Sequence, residues 1–149
     1  MYEGSAKQCL MELNWMEQEI ECKMEEMDRL RRLAEGASSL RQKGGETERI
    51  QSIVDKLRAL EERLGDEVDS FVSLKAFAEK AISGLDKPEL RTVLRLKYIE
   101  KHTIEAAAER MGYSAVHTAR LHKRALMALN EPMGLYMERC LGAQKKEKD

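Results

Sequence analysis

An all-α fold is what this sequence predicts: a long, coiled-coil-like N-terminal helical hairpin followed by a helix-turn-helix domain. Three observations predict it. Apolar residues recur at seven-residue spacing over most of the first 83 positions. Pro is scarce, with only Pro88 and Pro132, and aromatic residues make up 5% against 36% charged. That composition suits long helices with narrow apolar seams better than a broad mixed core. Finally, Thr103 to Leu129 reads as a short helix, a tight turn at Met111-Gly112-Tyr113 and a longer helix opening at Ser114, the layout of a helix-turn-helix.

The first helix is expected from about Ser5 to Glu35. Leu13, Ile20, Met27 and Ala34 are spaced by seven, Met16 and Leu30 hold the complementary position, and Lys23 interrupts it. Leu10, Met24 and Leu33 widen this stripe. Trp15 lies off the seam and suits the edge of a helical interface. Gly36–Glu46 carries three Gly and two Ser, which break helical periodicity and let the chain reverse. It follows no strand, and Lys43 precedes Gly44-Gly45, so it is no phosphate loop.

The second helix, Thr47 to Ser83, has the strongest pattern. Ile50, Leu57, Leu64, Phe71 and Ala78 repeat by seven, with Ile53, Leu60, Leu74 and Ala81 between them and Glu67 as the polar exception. At 1.5 Å per residue it is about 55 Å long. One seam does not bury itself. The first helix folds back along it, or a second chain pairs with it, or both.

Gly84 closes this helix, and Asp86 with Pro88 opens a third running to about Lys101. Leu90, Val93, Leu94 and Leu96 to Tyr98 turn mostly inward; Arg91, Arg95, Lys97 and Lys101 turn out. Thr103 caps a fourth helix that buries Ile104, Ala107, Ala108 and Met111. Gly112 supplies the left-handed turn residue. Ser114 caps a fifth helix to about Leu129, with Thr118, Leu121, His122 or Ala125, and Leu129 inward. A short amphipathic segment and a disordered tail follow Pro132. The expected division is therefore 1–84 hairpin, 85–130 helix-turn-helix, and 131–149 short helix and tail.

Charge is unevenly placed. Residues 1–86 hold 13 basic and 19 acidic side chains, while residues 87–149 hold 13 and 8. The basic half suits phosphates and the acidic half avoids them. The three cysteines have no CxxC spacing and read as reduced thiols. No apolar run approaches the ~18 residues needed to span a bilayer, and no signal peptide is evident, so a cytoplasmic protein without membrane contact is expected. His117 and His122 lie about 140° apart around a helix and do not share a metal. With no nucleophile in a strand-turn-helix setting and no nucleotide loop, neither catalysis nor a cofactor is expected.

The segment LRTVLRLKYIEKHTIEAAAERMGYSAVHTARLHKRALMAL resembles region 4 of sigma factors of the sigma-70 type. The matching pieces are Val93-Leu94, Leu96-Lys97-Tyr98, Thr103, Glu105, Ala108, Met111 to Ser114, Leu121 and Lys123 to Leu126. Together with the acidic helix pair and the Gly/Ser break, the chain from about Leu13 to Leu129 resembles small sigma-region-4-like proteins of phages and prophages of Gram-positive bacteria, relatives of late transcription regulators of the ArpU type.

The resemblance implies sequence-specific binding of double-stranded DNA, with the fifth helix in the major groove. Ala115, Val116, His117 and Arg120 are then the base readers, and Thr103, Tyr113, Ser114, Lys123 and Arg124 hold phosphates. Where sigma region 4 opens this helix with polar residues, Ala115 and Val116 stand here. Either suits a thymine methyl, and His117 or Arg120 a guanine. Specific sites usually need two half-sites, so a homodimer through Ile50, Ile53, Leu57, Leu60, Leu64, Phe71 and Leu74 is expected, or the same seam closes a hairpin within one chain. RNA polymerase is a second partner for the acidic hairpin. Two rival readings are a protein-interaction module and a small terminase-like DNA-packaging adaptor.

Overall fold

The computed structural model describes residues 4–38 and 46–148, with side chains placed over 4–36 and 48–139. Every element among the described residues is helical: α1 (Ser5–Ser38), α2 (Glu46–Ser83), α3 (Pro88–Leu94) with a π-helical turn at Arg95–Ile99, α4 (Ile104–Met111) and α5 (Ala115–Lys148). The chain divides into two compact units. One is Trp15–Ser73; the other joins the stretch ending at Asn14 to the chain from Leu74 onward. In this division the first turns of α1 belong with the C-terminal unit.

The Trp15–Ser73 unit is an antiparallel hairpin. Its direction is fixed by two cross-helix ion pairs, Lys23 with Glu67 and Arg31 with Glu61 at 3.6 Å, in which the higher number on one helix meets the lower on the other. Lys23 and Glu67 are the polar interruptions of the two seams, and they meet each other. Ile20 and Met27 are buried, and Ile50, Ile53, Leu57, Leu60, Leu64 and Phe71 are half-buried. Met24 and Leu33 do not widen the buried α1 stripe, and Trp15 is not packed into a helical interface among the described residues. All three are more than half exposed, because they sit around the helix from the buried seam. The helix also continues through Gly36 to Ser38, past the expected break. The rest of that connection, 39–45, lies outside the described residues.

The second unit has one apolar core. Ala6, Cys9 and Leu10 of α1, Ala78 and Ile82 of α2, Val93, Leu94 and Leu96, Ala107 and Ala108, and Leu121, Ala125, Leu129 and Met133 of α5 are all buried. Leu74, a further member of the α2 seam, is half-buried here. The backbone N–H of Ala6, one of the four unpaired donors at the start of α1, donates to Asn130 Oδ1 at 3.0 Å. A side chain distant in sequence thus does the work of an N-cap.

Three local expectations give way. Lys87, not Asp86, is the N-cap of α3, and it makes no side-chain cap bond; Pro88 takes the first turn as expected. The third helix also tightens no further than Leu94 as an α-helix. The N–H of Glu100 donates to the Arg95 carbonyl at 2.9 Å, five residues back, and that of His102 to the Leu96 carbonyl. Lys101 then takes a left-handed conformation with φ 62°. Arg91, expected to face out, is half-buried and donates to the Leu85 carbonyl at 2.6 Å.

The largest correction concerns Pro132. In place of a break, a short helix and a disordered tail, α5 runs unbroken from Ala115 to Lys148 with Pro132 inside it. An interior Pro removes one hydrogen bond and crowds the carbonyl four residues back, at a cost of roughly 3 kcal/mol. Tertiary contacts on both sides offset this. Leu129 and Met133 are fully buried, Asn130 holds Ala6, and Tyr136 stacks on Phe77 with ring centroids 4.1 Å apart.

Candidate nucleic-acid interface

Two backbone devices set the geometry of α4 and α5. Thr103 Oγ1 accepts from the Ala106 N–H at 3.1 Å and starts α4. Fully buried Ala107 and nearly buried Ala108 let this eight-residue helix approach its neighbours closely. At its end Gly112 adopts φ 75°, ψ 26°. The Tyr113 N–H then reaches the Ala108 carbonyl at 3.0 Å and the Gly112 N–H the Glu109 carbonyl at 3.3 Å. These two bonds form a Schellman motif, which needs a left-handed residue and so favours Gly.

Ser114 restarts the chain as a helix. Its Oγ accepts from the His117 N–H at 3.1 Å, while its carbonyl accepts from both the N–H and the hydroxyl of Thr118. Thr118 is fully buried, and this bond satisfies its hydroxyl. Tyr113 packs edge-on against His117, ring centroids 4.8 Å apart, with its hydroxyl 3.5 Å from Glu89 Oε1. It thereby links the first turn of α3 to the first turn of α5.

The other predicted residues all reach solvent. Thr103, Ser114, Ala115, Val116, His117, Arg120, Lys123 and Arg124 are all exposed. Val116, Arg120 and Lys123 are spaced by four and three, so they share the outward face of α5. Among the described residues, Arg120, Lys123 and Arg124 have no carboxylate partner. Their charge is available to an external anion. Thr103 and Ser114 accept bonds as caps, which leaves each O–H free to donate outward.

Behind this face lies a pair that sequence reasoning missed. Tyr98, on the π-helical turn, is 2.8 Å from His122 Nε2 on the inner side of α5. Burial pushes the Tyr98 hydroxyl up to about 12, so it keeps its proton. Burial, then the cations Lys97 and Lys7, pull the His122 imidazole below its ordinary value. A neutral ring accepting from the Tyr98 hydroxyl fits both directions. The sequence placed Tyr98 and His122 on inward faces; their meeting depends on tertiary packing that no local pattern encodes.

No group of three or more His, Cys, Asp or Glu among the described residues is placed to hold a metal ion, and no described helix is long and apolar enough to cross a membrane. No curated protein and no solved structure is detectably similar to the chain. Residues 81–131, about a third of the chain, match the family model for sigma-70, region 4. That span takes in α3, the π-helical turn, α4 and the first half of α5 and ends just before Pro132. This part of the chain is a sigma-region-4-like helix-turn-helix.

Proposed function

We propose that the protein is a non-catalytic, sequence-specific DNA-binding regulator of transcription that works in the cytoplasm without a cofactor and is encoded by a phage or prophage. The observation that carries the DNA-binding reading is the uncompensated stripe of Arg120, Lys123 and Arg124 beside the Ser114-capped start of α5. Inserted in a major groove, this helix puts its first turn on base edges and its cations on flanking phosphates. One such unit makes few contacts, so two chains pair to read two half-sites. The acidic hairpin supplies the pairing surface or a contact to RNA polymerase, and stays clear of the phosphates by charge repulsion.

The test is a selection from a random DNA library followed by salt titration on the best site. Affinity should fall linearly on a log–log plot, by about 0.9 in slope for each phosphate neutralised. Arg120→Ala combined with Lys123→Ala should weaken binding at least roughly tenfold and flatten that slope while leaving helix content unchanged. No enriched sequence, and no effect of these substitutions, would refute DNA binding. One observation favours a second reading as a protein-interaction module: Val116, at the tip of α5, is 64% exposed. Oligomeric mass addresses the third. A dimer supports the regulator, and a ring of many subunits supports a packaging adaptor.

A further inference from the structure

We infer that α5 selects its site by the C5-methyl groups of thymine, with Val116 and Ala119 as the reading surface. This rests on the DNA-binding reading proposed above and specifies what that site recognises. Val116 is 64% exposed in the first turn of α5, and Ala115 and Ala119 are exposed with it. Val116, Ala119, Arg120 and Lys123 fall at i, i+3, i+4 and i+7, so they form one outward stripe, apolar at its N-terminal end and cationic beyond.

The chemistry of this stripe is restrictive. Ala and Val have no hydrogen-bonding group, so they read no donor or acceptor on a base. The thymine methyl is the one apolar group that the major groove of unmodified DNA presents. Set against guanine or cytosine, the same side chains would strip water from N7, O6 or N4 and give nothing back, which penalises those bases. The uncompensated charge of Arg120, Lys123 and Arg124 identifies a polyanion as the occupant of this face. His117, held edge-on by Tyr113 beside the stripe, and Arg120 within it take the polar base edges next to the thymines.

The experiment starts from the selected duplex. Each thymine in turn is replaced by deoxyuridine, which pairs identically and lacks only the methyl. Affinity should fall about fourfold for each methyl in contact, the factor for one CH2-sized group leaving water. Val116→Ser should lower affinity for the thymine site and abolish the difference between thymine and uracil at one position. Because Val116 is exposed, its replacement leaves folding intact, which circular dichroism checks. A 5-methylcytosine·guanine pair at that position should bind more tightly than the unmethylated pair. Selective DNA binding that is unchanged by uracil at every thymine, or a uracil penalty that persists in full in Val116→Ser, overturns the inference and leaves DNA binding standing. If no duplex is bound selectively, the proposed function falls and this inference with it.

Discussion

Lys23 and Glu67 offer the most direct test of how the hairpin is held in register. Each occupies a seam position that the surrounding heptads would fill with an apolar residue. Their side chains are 27% and 33% exposed, and Glu67 Oε2 has no partner among the described residues. Removing one member of a fully buried pair costs about 3–5 kcal/mol, whereas exposed pairs contribute ~0.2–1 kcal/mol. At about one-third exposure, Lys23→Met should cost roughly 1–2 kcal/mol, because it leaves Glu67 without its counter-charge in a partly dry seam. Glu67→Leu should cost less, about 0–1 kcal/mol, since the long Lys23 stem lets its ammonium reach water. The double variant restores two uninterrupted seams and should equal or exceed the parent in stability. Urea unfolding of the four proteins, followed by circular dichroism, gives the coupling energy. A favourable coupling of about 1–3 kcal/mol is expected, and strict additivity within ~0.3 kcal/mol would refute the argument.

Two further outcomes follow from the C-terminal unit. Gly112→Ala meets no atom within 4 Å of the added methyl, so its cost is purely that of a left-handed backbone, about 1–2 kcal/mol, read as a lower Tm by calorimetry. An unchanged Tm would rule out the Schellman turn as described. His122 has a folded-state pKa below its unfolded value of about 6.5, so the unfolded chain takes up a proton more readily than the folded one. The stability associated with neutral His122 is complete above about pH 6.5 and is lost as pH falls through the lower folded value. Tm should therefore hold from pH 8 to about pH 6.5 and decline from there to pH 5, and His122→Gln should flatten that decline. Equal slopes in the two proteins would count against it.

How much of this was legible in the sequence depended on whether the cause was local. The caps at Thr103 and Ser114, the left-handed Gly112 and the exposed basic residues of α5 follow from side-chain chemistry within four positions, and each was readable. The antiparallel hairpin was one of several open ways to cover the α2 seam. Lys23 and Glu67 appeared as two separate defects, yet a lysine and a glutamate at equivalent seam positions were a pairing signal in their own right. Pro132 misled for a definite reason. Its penalty of roughly 3 kcal/mol is a local quantity, and what outweighs it is tertiary: buried Met133, Tyr136 on Phe77, and Asn130 on Ala6. The π-helical turn at Arg95–Ile99 carries no compositional mark. Trp15, Met24 and Leu33 show the converse, since apolar identity alone did not place them in the seam.

The bond from Ala6 to Asn130 spans 124 positions, and its consequence reaches back to the ribosome. Residues 15–73 form a contiguous unit that emerges whole and folds on local contacts. Ala6, Cys9 and Leu10 emerge earlier but lack the core that buries them until α5 has been made. At ~5–20 residues per second, that delay is roughly 6–25 s. For that interval the nascent chain carries a finished hairpin next to an unsatisfied apolar segment with an accessible thiol. That segment is where chaperone binding, oxidation of Cys9 or cross-chain association would intervene. A version of the helix-turn-helix cut to residues 81–131 would leave the same surface uncovered from the other side.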